Sequence, residues 1–218
     1  AVAAGLSSVA AAAKLPARPA TAPEKLATDE SYWRQVAAQY DITRDVVQLE
    51  NGNWGSMSLP VLAAYEQHQR RVNQQNSHYA RREYVADYEK ARARIAAALG
   101  VSVEEIALTR NATEALQALI GSYNVLRPGD AVLYADLDYD AMQMNMEWLA
   151  ARRGVKVVKI DLPEPATYQG VIDAYAAALK AHPQVRMMLL THVSHRTGLL
   201  LPVKKITELA RRHKVDVI

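Results

Sequence analysis

From residue 131 onward, short apolar runs alternate with stretches whose apolar residues recur every three or four positions. The runs 131–135, 155–160, 185–191 and 215–218 each predict a strand. Between them, 139–152 predicts a helix, and so do the faces Ile172, Tyr175, Ala176, Leu179 and Val203, Ile206, Leu209, Ala210. Arg127-Pro128-Gly129-Asp130 marks a turn into the first of these strands. Upstream, 106–109 predicts a strand and 112–123 a helix. A long helix is expected over 79–99, with Val85, Tyr88, Arg92, Ile95 and Leu99 on one face and Gly100 as its stop. Earlier still come a helix over 29–40 capped by Asp29 or Thr28, with Trp33 and Val36 buried, and a short strand over 46–49. A glycine-bearing loop over 51–55 and a helix over 60–75 started by Pro60 complete the pattern.

Such alternation specifies an α/β fold, a mostly parallel sheet with helices on both faces. The strands are apolar throughout, as burial of both faces requires. Ligands of open parallel sheets bind beyond the carboxyl ends of the strands, so the loops after Thr109, Ala135 and Thr191 are the places to seek function. The last run stops as its strand begins, and the sheet is expected to be cut off at its C-terminal end.

Composition narrows the classes. The net charge of +3 is spread over helix faces with acidic residues between, unlike the basic stripe of a nucleic-acid binder. No run of apolar residues reaches membrane-spanning length. With 0 cysteines, disulfides and thiolate metal sites are excluded. Residues 1–13 are small and apolar, which fits either the remnant of an export signal or an alanine-rich leader; the first implies a periplasmic protein, the second a cytoplasmic one. Pro16, Pro19 and Pro23 extend the chain as a linker. The expected organisation is therefore a leader and linker over 1–24, an N-terminal arm over 25–75, and a partial α/β domain over 76–218.

Three loops carry candidate chemistry. Thr109-Arg110-Asn111-Ala112-Thr113-Glu114 turns from a predicted strand straight into a helix. That geometry suits either a phosphate at the helix start or a plain Asn or Thr cap. Neither glycine-rich nucleotide fingerprint is present. Asp136-Leu137-Asp138-Tyr139-Asp140 sets an aromatic ring among three carboxylates, which are expected to serve as capping and dipole partners. In Thr191-His192-Val193-Ser194-His195-Arg196-Thr197-Gly198 the two histidines lie three apart. A strand would send them to opposite faces, so no metal site is expected.

Taken together, these segments resemble the class V aminotransferase family of pyridoxal-phosphate enzymes (fold type I), which includes cysteine desulfurases and isopenicillin N epimerase-like proteins. Leu49-Glu50-Asn51-Gly52-Asn53-Trp54-Gly55 is similar to the family's N-terminal L-N-N-G-x-W-G motif, nearest the epimerase-like branch. Asn111-Ala112-Thr113-Glu114 resembles its phosphate-binding turn, and 191–198 its S-H-V-S/N-x-x-T-G segment. The resemblance spans about 46–218. It implies pyridoxal 5'-phosphate as cofactor, held at its phosphate by Ala112 and Thr113, with Tyr139 stacked on its ring and His195 near its phenolic oxygen. Asn51, Asn53 and Trp54 would lie at the substrate entrance. It further implies an amino-acid substrate, transferase or isomerase chemistry, and a homodimer. The family's pyridine-pairing aspartate and Schiff-base lysine match no position here, so the catalytic residue is expected outside these 218 residues. The alternative is a non-catalytic piece that binds phosphate or a protein partner.

Overall fold

The run 131–135 becomes the strand on which the second half of the chain is built. In a computed structural model, which describes residues 16–218, the chain falls into two compact units, Ala1–Ile106 and Ala107–Ile218.

In the first unit, α1 (Pro23–Ala27) and α2 (Glu30–Ala37) are followed by α3 (Asn51–Trp54), α4 (Leu59–Arg82), α5 (Tyr84–Leu99) and a 3-10 turn (Val103–Glu105). Asp29 caps α2 by accepting from the Ser31 and Tyr32 N–H groups. Helix α4 breaks at Asn76, whose φ of 44° lies outside helical space. Arg71 bridges the break, pairing with Glu83 and Asp87 and covering the Tyr79 ring. Four expectations fail here. The run 46–49 forms no strand; Val47 and Leu49 are exposed, and an apolar run becomes a strand only with a ladder partner. The run 106–109 also stays unpaired, the Ile106 carbonyl being taken by the Arg92 guanidinium instead. Residues 51–54 close one helical turn where a loop was expected. Trp33, expected inside, is half exposed and donates its indole N–H to the Leu26 carbonyl. The expected leader over 1–13 lies outside the described residues.

The second unit runs α6 (Ala112–Gly121), β1 (Ala131–Ala135), α7 (Asp140–Arg153), β2 (Lys156–Ile160), α8 (Tyr168–Ala181), β3 (Val185–Met188), α9 (Val203–Arg212), β4 (Asp216–Val217). All pairings are parallel, in the order β2-β1-β3-β4. Beyond the named strands, Leu190 N–H reaches the Ile218 carbonyl and Ile218 N–H the Met188 carbonyl, so the ladder continues to the last residue.

Strand β1 is buried at every position, and its alternation divides the core in two. Ala131, Leu133 and Ala135 face α8 and α9, packing with Tyr175, Leu179, Ile206 and Ala210. Val132 and Tyr134 face α6 and α7, packing with Ile120, Met142, Met146 and Leu149. The register between β1 and β3 shifts after Ala131, which pairs Val185, whereas Val132 pairs Met187. Arg186 is the extra residue, and its guanidinium turns to Asp130 at 3.3 Å.

This topology locates a crevice. From β1 the chain crosses through α7 to β2 on one side; from β2 it crosses back over β1 through α8 to β3, and onward through α9 to β4. Crossovers of one hand running in opposite directions must place their helices on opposite faces, as they do here. The connections diverge between β1 and β3. The carboxyl ends of those two strands are where an open sheet of this kind receives a ligand.

Candidate functional site

Two loops meet at that divergence, 136–139 after β1 and 189–202 after β3. The second is a small stiff body. Val193 bridges Leu200, Ser194 N–H donates to the Leu199 carbonyl, Gly198 N–H to the Ser194 carbonyl, and Leu201 N–H to the His192 carbonyl. Gly198 sits at φ +71°, a left-handed conformation that glycine adopts without a Cβ penalty. Because this segment turns rather than running as a strand, the expected strand over 185–191 stops at Met188, and both His192 and His195 are exposed.

Of the three aspartates after β1, Asp140 stands in the first turn of α7 as expected of a dipole partner, but none of them caps the helix. Asp138 is buried, 1% exposed, and one carboxylate oxygen accepts from Ala135 N–H (2.7 Å) while the other accepts from Thr191 N–H (2.8 Å). Burial pushes its carboxyl above the ordinary value, and the Ala135 N–H together with the hydroxyl and N–H of Thr191 oppose that shift. Asp136 accepts from Leu162 N–H (3.0 Å), tying this loop to the segment after β2. Asp140 lies in the first turn of α7 and pairs with Arg196 at the surface. Gln143, one turn into α7, donates to the carbonyls of both Asp136 and Asp138 and so latches the loop to the helix. The sequence marks Asp138 only as one acidic residue among three, and nothing in its spacing distinguishes the buried one.

Tyr139 and His195 are brought together. Their ring centroids are 4.9 Å apart at an interplanar angle of 80°, an edge-to-face contact, and both side chains stay exposed. Ala112 and Thr113 open α6. Tyr123, just past the other end of that helix, hydrogen-bonds the Arg186 carbonyl and Asp216 at the starts of β3 and β4. Gly121 packs on the ring of Trp148, late in α7. Helix α6 therefore runs back from the carboxyl edge beside α7, and its first turn lies on the same sheet edge as Tyr139 and His195.

The first turn of α6 has donors to spare. Asn111 caps Glu114 N–H at 2.9 Å, and helix geometry leaves the N–H groups of Ala112 and Thr113 without intrahelical acceptors. Both residues are exposed. Glu114 would repel an anion, but its carboxylate is turned back onto Arg110. The Arg110 side chain and backbone N–H hold its pKa below the usual range.

Asn51 and Trp54 belong to the first unit, exposed on α3. Asn51 lines a cavity of about 370 Å³ with Tyr40, Ile42 and Gly55. A Cβ at Gly55 would come within 2.5 Å of the Asn51 carbonyl, so the turn requires glycine there. The side chain of Asn53 lies outside the described residues. Among the described residues, no helix is long and apolar enough to cross a membrane, and no three His, Asp or Glu side chains gather as metal ligands.

Comparison with known proteins shows the family and the fold. The profile of the family Aminotransferase class-V matches residues 58–218. A probable cysteine desulfurase of Vibrio cholerae is 29% identical over 157 residues, 71% of this chain and 38% of that protein. Isopenicillin N epimerase of Streptomyces clavuligerus is 26% identical over 186 residues, 85% of this chain and 46% of that protein. Among solved structures, a C-DES mutant with glycine covalently linked to its PLP cofactor superposes with a TM-score of 0.67 at 20% identity. That match covers 83% of this chain and 46% of that one. The chain thus spans less than half the length of the relatives it matches. Its fold is that of the fold type I enzymes, as far as these residues extend.

Proposed function

The chain belongs to the class-V aminotransferase family of pyridoxal-phosphate-dependent enzymes, and on that premise we propose that it binds pyridoxal 5'-phosphate at the β1–β3 crevice as part of an enzyme acting on an amino acid. One arrangement carries the reading: with its far end tied to the starts of β3 and β4, α6 directs its open first turn to the strand edge that bears the exposed Tyr139–His195 ring pair.

The donor set fits the group. A phosphate needs N–H and O–H donors and a positive potential; Ala112 and Thr113 offer two backbone N–H groups, a hydroxyl and the positive end of a helix. Tyr139 offers half-exposed aromatic surface against which a flat heterocycle packs. His195 brings ring nitrogens able to hold or release a proton beside it. When bound, pyridoxal phosphate withdraws electrons from the substrate's α-carbon. The protein's part is then to anchor the phosphate, pack the ring and keep the His195 imidazole in place beside it. We assign Asn51, Asn53 and Trp54 to the substrate side, and a homodimer as the working assembly, both on family resemblance. The Schiff-base lysine is proposed to lie outside these 218 residues.

Thr113→Val tests the phosphate assignment. It removes the hydroxyl and keeps the shape. A hydrogen bond to a charged group contributes about 1.5–3 kcal/mol, so pyridoxal phosphate should bind roughly 10- to 100-fold more weakly in equilibrium dialysis. Unchanged binding with an unchanged circular dichroism spectrum would remove Thr113 from the site.

A further inference from the structure

We infer that Asp138 is the positioning residue of this site: its buried carboxylate joins the loop after β1 to the loop after β3 and so sets the contact between Tyr139 and His195. The functional meaning of that contact rests on the cofactor reading above; the contact itself does not.

The connectivity carries the inference. The two loops come from strands about 50 residues apart in sequence, and each is stiff in itself. The first is latched to α7 by Gln143, and the second is closed by the Val193–Leu200 bridge. Asp138 spends one oxygen on each, Oδ2 on Ala135 N–H and Oδ1 on Thr191 N–H. Tyr139 is the next residue in the first loop, and His195 lies four beyond Thr191 in the second. With both oxygens committed, a shift of either loop breaks or stretches one of these hydrogen bonds at a buried carboxylate, which is costly away from water.

A second link spans the same loops from outside. Asp140 and Arg196, the neighbours of Tyr139 and His195, form an ion pair, but both side chains are about half exposed. Exposed pairs contribute little and are screened by salt. The ring pair is thus flanked by a buried link that fixes distance and a wet one that does not. Asparagine cannot take over the buried role, because its amide nitrogen would face one of the two N–H donors instead of accepting from it.

The experiment reads the ring contact directly, without cofactor. In NMR spectra of the chain, the imidazole protons of His195 carry a ring-current shift from Tyr139, and Tyr139→Leu gives their position without it. Asp138→Asn should move these resonances most of the way to the Tyr139→Leu position. Arg196→Ala should leave them near wild type, and so should Leu133→Ala, a core change that destabilises but alters neither Asp138 nor its two N–H partners. Unmoved His195 signals in folded Asp138→Asn would overturn the inference. So would a full shift in Arg196→Ala, a surface variant that keeps the test open should Asp138→Asn fail to fold. An equal shift in Leu133→Ala would reduce Asp138 to a merely structural role. Titrating the same variants with pyridoxal phosphate separates the two ideas. If His195 moves in Asp138→Asn and binding does not weaken, the cofactor reading fails while the positioning role stands.

Discussion

Leu119 and Ile120 are neighbours of equal size on α6, and the structure assigns them opposite fates. Ile120 is 0% exposed, locked among Val132, Met142, Met146 and Met187, whereas Leu119 is 58% exposed. Ile120→Ala removes three carbons, about 2.4 kcal/mol at roughly 0.8 kcal/mol per buried group. The close-packed neighbours relax only in part, so a cavity term of about 1 kcal/mol adds to this, giving a loss of about 3–4 kcal/mol. Leu119→Ala forfeits less than half of the same transfer term and leaves no cavity, so its cost stays below about 1 kcal/mol. Urea unfolding followed by far-ultraviolet circular dichroism measures both. With a slope of about 2 kcal/mol per molar, the Ile120→Ala midpoint falls by roughly 1.5–2 M and the Leu119→Ala midpoint by under about 0.5 M. Because Ile120 also seats the helix whose first turn offers the phosphate donors, only Ile120→Ala should weaken pyridoxal phosphate. Equal costs would mean that α6 turns another face to the sheet, and the argument placing Thr113 at the carboxyl edge would fall with it.

Alkaline titration gives a second check. Burial, then hydrogen bonding to Glu147, pushes the Tyr134 phenol up to about 12. Tyr123 and Tyr175 are raised further, Tyr123 by burial and the Asp216 carboxylate and Tyr175 by burial above all. A raised folded-state value means that these groups stabilise the fold fully below the ordinary phenol value of about 10, and that this is lost as the pH climbs through the folded values. Ultraviolet difference absorbance at about one unit above the ordinary value should leave at least these three of 11 tyrosines un-ionised while the fold persists. Full ionisation before unfolding would contradict their burial. Lys214 sits at φ 58° between α9 and β4. Lys214→Gly relieves about 1–2 kcal/mol of left-handed strain against about 0.5–1 kcal/mol of added chain entropy. The thermal midpoint should therefore rise slightly, and a fall would show the turn to be unstrained.

Much of the second unit is legible in its sequence. The apolar run that makes β1 and the helical faces around Tyr175, Leu179, Ile206 and Leu209 follow from local pattern, because one strand or helix face suffices to state them. The same logic misleads in the first unit. Val85 and Leu99 recur at helical spacing and α5 forms, yet both are about two-thirds exposed, since periodicity specifies a face and not what covers it. The runs 46–49 and 106–109 have strand composition but no ladder, because pairing belongs to two segments and composition to one.

The site divides in the same way. Local sequence alone marks Ala112 and Thr113 as a helix start and Tyr139 and His195 as polar or aromatic residues beyond strand ends. That Asp138 is the buried one of three aspartates, that its second oxygen reaches Thr191, and that Tyr139 meets His195 were decided only by tertiary structure. A carboxylate's role depends on which N–H groups surround it. Here one of them lies 53 residues away, at a distance in sequence that only the crossing of β1 and β3 through one sheet could close.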